Sequence, residues 1–322
     1  MTNLFEIFYR FLLLGVISFG GPMAHLGYFR KTFVEKLKWL DEATYAKVVA
    51  LSQFLPGPSS SQVGFSIGLK KGGLAGGIAA FVAFTLPSFL ILYLLATLTI
   101  SQSDNSIING MIAGLKLFAV VIVADAAFGM FNSFCKDITT IVIFLAATLL
   151  LLFFHGVFIQ IFILMGAALF GSIFIKNKRD IVYTETKKIK LFPFMLFLTL
   201  LLLLPFFADY NEPIKIFTAF YEAGSLVFGG GHVVLPLLEQ SLGNMITSES
   251  FLVGYSLAQA VPGPMFTIAS YLGANILESS PFFGALISTI AIFLPGFLLI
   301  LSFWDSFENY TQKGKIANAI TG

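Results

Sequence analysis

Residues 51–62 read L-S-Q-F-L-P-G-P-S-S-S-Q, and residues 257–268 read L-A-Q-A-V-P-G-P-M-F-T-I. Pro-Gly-Pro is hostile to a helix or strand interior, because proline lacks an N–H donor and its ring clashes with the preceding turn. Both copies nevertheless stand behind a glutamine at the end of an apolar run. A helix breaker written twice into hydrophobic sequence decides how the rest of the chain is read.

Composition sets the surroundings. Of 322 residues, 57% are hydrophobic and only 11% charged, too little charge to cover a water-soluble domain of this size. Apolar runs at 74–100, 107–134, 138–154, 157–175, 191–207 and 282–303 approach or exceed the ~20 residues that cross a bilayer. The chain reads as an all-α polytopic membrane protein, with the lipid bilayer as its partner. The net charge of +2 sits in short loops and gives no sign of a nucleic-acid partner. A lone Cys135 excludes an intrachain disulfide and speaks against a Cys-ligated metal, so no metal or cofactor is expected. The N-terminus lacks a basic n-region and a cleavage site, so no cleavable signal peptide is expected.

The two Pro-Gly-Pro segments belong to a longer internal match. G-V-I-S-F-G-G-P from Gly15 pairs with G-S-L-V-F-G-G-G from Gly224, and L-P-S-F-L-I-L from Leu86 pairs with L-P-G-F-L-L-I from Leu294. The order is kept and the offset stays at 206 to 209 residues, which reads as a duplicated unit. Residues 7–104 carry Arg10, Arg30, Lys31, Lys36, Lys38, Lys47, Lys70 and Lys71, whereas 216–312 carry no Lys or Arg. By the positive-inside rule the loops of the first copy face the cytoplasm and those of the second face outward. The reading is two inverted-topology repeats. The first occupies 1–175, a basic cytoplasmic linker follows at 176–190, and the second occupies 191–322 and reads as incomplete at its end.

An inverted repeat needs an odd number of crossings between equivalent loops. Spans 74–100, 107–134, 138–154, 157–175 and 191–207 supply five. That count requires 4–38, 42–69, 213–240 and 251–278 to enter and leave on one side. Each is too short for two full spans and breaks centrally on S-F-G-G-P, F-G-G-G or P-G-P, so each is expected to be a broken helix or re-entrant hairpin. A full crossing by 4–38 and 213–240 would keep the count odd as well. Both termini then fall in the cytoplasm.

Half-helices that start inside a membrane expose backbone N–H groups at the positive end of the helix dipole, which makes an anion site without any basic side chain. Inverted-repeat transporters place such breaks near the midplane. The candidate binding residues are therefore Gln53, Pro56, Gly57, Pro58, Ser59, Ser60 and Ser61, their counterparts Gln259, Pro262, Gly263, Pro264 and Thr267, and Gly20, Gly21, Gly229 and Gly230 at the other breaks. Pro58 and Pro264 suit a first helical turn, the glycines permit close approach, and the hydroxyls can donate to a tetrahedral oxyanion. The bland readings are a packing kink, helix capping and interhelical hydrogen bonds. His25, Asp125, Glu222 and His232 are ionisable groups in apolar sequence and hence candidates for proton coupling; packing or pairing with Lys116 or Lys215 is the alternative. Trp39 and Trp304 read as interface anchors.

The blocks S-F-G-G-P (Ser18 to Pro22), W-L-D-E-A (Trp39 to Ala43), L-S-Q-F-L-P-G-P (Leu51 to Pro58), F-G-G-G-H (Phe228 to His232) and A-Q-A-V-P-G-P (Ala258 to Pro264) resemble the chromate ion transporter family. The resemblance covers roughly 5–130 and 215–322 and implies transport of chromate, with sulfate as a related oxyanion, in the cell membrane of a prokaryote. Coupling to protons or to the membrane potential is what it implies for energy, since no phosphate-binding G-x-x-x-x-G-K-[ST] loop occurs. The tail I-A-N-A-I-T-G pairs with I-N-G-M-I-A-G at Ile108, which opens a long helix in the first copy. The sequence leaves a homodimer open. Transport of another anion, such as a phosphorylated lipid headgroup, is the competing reading. An intramembrane enzyme lacks support, because there is no H-E-x-x-H and the serines have no evident base.

Overall fold

The computed structural model describes residues 4–101, 138–153, 189–227 and 234–304, with scattered positions between 110 and 135 and residues 163 and 166. Asp125, Gly229, Gly230 and His232 lie outside the described residues. All regular structure among the described residues is helical. In chain order the helices are α1 (Leu4–Ile17), α2 (Gly21–Phe29, continued by a π-helical turn at Arg30–Lys36), α3 (Glu42–Phe54), α4 (Ser59–Ser101) and α5 (Ile138–Phe153). Then follow α6 (Leu191–Phe207), α7 (Glu212–Leu226), α8 (Val234–Leu242), α9 (Ser248–Ala260), α10 (Ile268–Ile276, entered through a 3₁₀ turn at Met265–Thr267) and α11 (Pro281–Phe303).

Local chemistry places the ends. Asp41 caps α3 by accepting the Thr44 amide at 2.7 Å, Asn211 caps α7 through Ile214 at 2.9 Å, and Thr247 caps α9 through Ser250 at 3.2 Å. Each side-chain oxygen satisfies one of the amides left open at a helix start. Helices α3 and α9 stop for one shared reason. The residue before a proline is pushed out of the helical region, and Leu55 (ψ 145°) and Val261 (ψ 139°) are extended ahead of Pro56 and Pro262. Between α1 and α2 the chain turns on Gly20 (φ 97°) and Gly21 (φ 74°).

Helix α4 is not one rod. Gly72 (φ −137°, ψ 21°) and Gly73 (φ 63°, ψ −160°) leave the helical region, and a methyl group on Gly68 would stand 2.3 Å from the Gly76 carbonyl oxygen. Eight residues of continuous helix would separate those positions by about 12 Å. The chain therefore doubles back into arms at 59–71 and 74–101. The first arm is about 20 Å long, short of the ~30 Å hydrocarbon layer, while the second exceeds it. Helix α11 is the other described helix long and apolar enough to cross.

Two compact units divide the chain, Met1–Val121 with Lys190–Ser302 and Ile122–Ile189 with Phe303–Gly322. In the first, α1 lies against the second arm of α4 so closely that a methyl on Gly15 would be 2.6 Å from the Phe84 carbonyl oxygen. Helix α7 meets α11 the same way, since a methyl on Gly224 would run into the Ile292 carbonyl oxygen. Small residues at such crossings let helix backbones approach where lipid gives no hydrophobic drive. Phe11, Phe29, Phe33 and Phe84 pack around one crossing, and Phe65, Phe81, Phe293 and Phe297 form a second aromatic cluster. Outward-facing Phe5, Leu94, Leu98, Phe192, Phe206 and Phe282 are exposed, an apolar surface suited to lipid rather than water. In the second unit, α5 exposes Ile138, Val142, Leu145, Leu149, Leu152 and Phe153.

Candidate functional site

The two Pro-Gly-Pro loops are each tied to the other copy. The Gly57 N–H donates to the Val227 carbonyl at 2.7 Å, and the Gly263 N–H donates to the Ser18 carbonyl at 2.9 Å. Ser18 and Val227 hold the same place in the repeat, each three residues after Gly15 or Gly224. The same bond is therefore made twice, from each loop to the helix break of the opposite copy. Only glycine fits these positions. Gly57 has φ 124° and Gly263 φ 110°. A methyl on Gly57 would lie 2.9 Å from Gly296 Cα, and one on Gly263 2.8 Å from Ser88 Oγ. Ser88 and Gly296 themselves correspond, each following Leu-Pro.

Behind each loop a helix begins inside the unit. The first is the short arm of α4, where Gln62 N–H is the first to reach a helical acceptor, Pro58 O at 2.9 Å. Pro58 therefore occupies the cap position and not, as its sequence suggests, the first turn. The amides of Ser59, Ser60 and Ser61 precede that bond and belong to the open end of the helix. All three serines are at most 5% exposed, and the Ser61 hydroxyl has no partner. The second start is tighter. Its 3₁₀ turn closes Thr267 N–H onto Pro264 O, and the Thr267 hydroxyl bonds that same carbonyl, so this side chain is occupied.

His25, fully buried on α2, joins two breaks. Its Nδ1 lies 3.3 Å from Ser60 Oγ and its Nε2 3.3 Å from the Ser18 carbonyl, and its ring meets the Phe84 ring edge-on at 5.3 Å. A carbonyl only accepts, so Nε2 carries the proton, and Nδ1 receives the Ser60 hydroxyl hydrogen. The Ser18 oxygen thus takes bonds from both His25 and Gly263.

Other candidates spread out. Gln53 is exposed at the end of α3, and Gln259 is half-buried with Nε2 on Tyr255 Oη (3.2 Å) and Met265 Sδ (2.9 Å). Gly20 is exposed, Gly21 and Pro22 are half-buried, and so are Pro56 and Pro262. Glu222 is half-buried on α7 and makes no ion pair among the described residues.

Sequence reasoning passed over Gln62, Ser18, Ser66 and Thr85. Gln62 Nε2 donates to Pro56 O at 2.9 Å and Gly296 O at 3.2 Å. Two carbonyls fix the amide's orientation and leave Oε1 buried without a partner. The hydroxyls of Ser18, Ser66 and Thr85 are likewise buried and unpartnered. The signal was available as polarity without symmetry. At the matching places the second copy has Val227 for Ser18, Phe266 for Ser60, Ile268 for Gln62, Leu272 for Ser66 and Phe293 for Thr85. Leaving a buried hydrogen bond unmade costs about 1–3 kcal/mol.

An apolar helical unit in which helices start behind two largely buried Pro-Gly-Pro loops fits a membrane transport protein. The chain belongs to the chromate transporter family, whose pattern matches residues 5–172 and 214–322. It is 31% identical to an uncharacterized transporter of Methanocaldococcus jannaschii, over 98% of this chain and 80% of that one. It is 27% identical to a probable chromate transport protein of Synechococcus elongatus, over 97% and 78%. With the chromate transport protein of Pseudomonas aeruginosa the identity is 23%, over 98% and 76%. No solved structure matches the chain.

Proposed function

We propose that the protein is a secondary transporter of chromate and sulfate-like oxyanions in a prokaryotic cell membrane. It works by alternating access with the anion held at the buried start of α4. The observation that carries this reading is the open helix end at Ser59, Ser60 and Ser61. Its first-turn amides are open, the Ser61 hydroxyl has no partner, burial strengthens every hydrogen bond such donors make, and the helix dipole favours negative charge there. The names of the relatives supply the substrate: proteins similar over nearly the whole chain are described as chromate transport proteins. The matched bonds from Gly57 to Val227 and from Gly263 to Ser18 support two inverted repeats packed about a pseudo-two-fold axis, the architecture that permits two access states. Binding of sulfate and chromate to purified protein tests the site. Ser60→Ala with Ser61→Ala is expected to weaken it by roughly tenfold or more, the scale of one or two lost hydrogen bonds to a charged group. Unchanged affinity would sink the assignment. Preferential displacement by a phosphorylated lipid headgroup would redirect it to a lipid substrate.

A further inference from the structure

We propose that His25 and Ser60 form a proton-operated donor switch, so that a proton and the oxyanion bind to the same site and each strengthens the other's binding. This rests on the oxyanion site at the start of α4. In the structure the Ser60 hydroxyl hydrogen is spent on His25 Nδ1, because Nε2 must face the Ser18 carbonyl with its own hydrogen. A proton arriving at the Nδ1 lone pair turns that nitrogen into a donor. Ser60 Oγ then accepts from it, and the serine's single hydrogen is released to point elsewhere. Atoms balance simply: one proton is taken from solvent onto imidazole, giving imidazolium, and no covalent bond to the anion forms.

The released hydroxyl belongs to the first turn of α4, beside the open amides and the unpartnered Ser61 hydroxyl. A second independent sign of a guest is the unpartnered hydroxyl of Ser18, fully buried, on the residue whose carbonyl holds both Nε2 and the Gly263 amide. The charged groups on the elements around His25 are Glu6 and Arg10 on α1, Arg30, Lys31, Glu35 and Lys36 on the π-helical turn after α2, Glu42 and Lys47 on α3, and Lys70 and Lys71 on α4. His25 forms no hydrogen bond or ion pair with any of them. Tyr45, on α3, donates instead to the Leu26 carbonyl at 2.6 Å. Among the described residues no carboxylate pairs with it, so an imidazolium here draws its counter-charge from the arriving anion. Linkage then requires that the anion raise the affinity for the proton by the same factor as the proton raises that for the anion.

Sulfate is the probe, since it stays a dianion between about pH 4 and pH 8, a range wide enough to protonate a buried histidine. In full-length protein in nanodiscs, sulfate affinity is expected to rise about tenfold as pH falls across that range, within the usual span of coupled sites. Addition of sulfate in weak buffer is expected to draw protons from solution. His25→Gln, whose amide can still donate to Ser18, is expected to bind at the weak alkaline affinity at every pH and to take up no protons. Ser60→Ala is expected to flatten the profile independently. Sulfate binding that is pH-independent in the wild type, or proton uptake that persists in His25→Gln, overturns the switch while leaving the oxyanion site standing. Absence of sulfate and chromate binding at all pH values overturns both.

Discussion

At the scale of single residues, glycine carries the argument where a backbone passes within reach of another. Gly15 and Gly224 face carbonyl oxygens at helix crossings, so an added methyl meets backbone that cannot swing aside. Gly15→Ala and Gly224→Ala are each expected to destabilise by roughly 1–3 kcal/mol, the range for overpacking, read as a lowered melting temperature in detergent. Gly27→Ala is the control. Its methyl would meet open space within α2, and alanine there is expected to be neutral or to stabilise by about 0.5–1 kcal/mol. Equal losses at all three positions would show that the crossings are looser than the geometry says. The serines of the short arm follow a similar logic. Their sequence, S-S-S after Pro-Gly-Pro, showed donors, but their freedom depended on partners that only packing supplies: Ser60 is tied to His25, Ser61 is not.

Among the elements, the helix ends are legible and testable. Asp41 caps α3, and the Thr44 amide and hydroxyl it accepts hold its carboxyl below the ordinary carboxylate range. A lowered folded value means that the charged cap contributes stability fully above the unfolded pKa and loses it as pH falls through the folded pKa. Acidification from neutral pH is therefore expected to weaken α3 in the wild type. Asp41→Asn, which keeps an accepting oxygen without a charge to titrate, is expected to remove that pH dependence. Thermal scans of both proteins across the acid range check this, and identical acid sensitivity would locate the effect elsewhere. The breaks at Leu55–Pro56 and Val261–Pro262 could be placed from sequence because proline acts on its immediate neighbour. The reversal at Gly72–Gly73 falls where Lys70, Lys71 and two glycines interrupt the apolar sequence between 42–69 and 74–100. The non-helical glycines and the approach of Gly76 to Gly68 show that the chain turns there.

For the whole molecule, the prediction concerns sidedness. If the halves are inverted repeats, the turn at Lys71 and its counterpart near Ser279 lie on opposite faces of the membrane. Cys135 is the native thiol, so Cys135→Ala provides a background for Lys71→Cys and Ser279→Cys. Labelling with a membrane-impermeant maleimide is expected from the cytoplasmic side for the first and from outside for the second. Labelling of both from one side would refute inversion and with it alternating access by exchange of the two halves.

The sequence by itself determined the membrane setting and the positions of the helix breaks, and it carries the repeated blocks from which a duplication is read. Hydropathy, repeated blocks and proline act locally or by composition, and each survives without knowledge of contacts. Tertiary structure decided which half carries the open polar atoms. Gln53, conspicuous beside the loop, is exposed, while Gln62, one turn into α4, is locked by the Pro56 carbonyl of the adjoining loop and the Gly296 carbonyl of a distant segment. It also decided that each Pro-Gly-Pro amide is satisfied by the opposite copy. That outcome follows from pairing across some two hundred residues, and no local propensity encodes it.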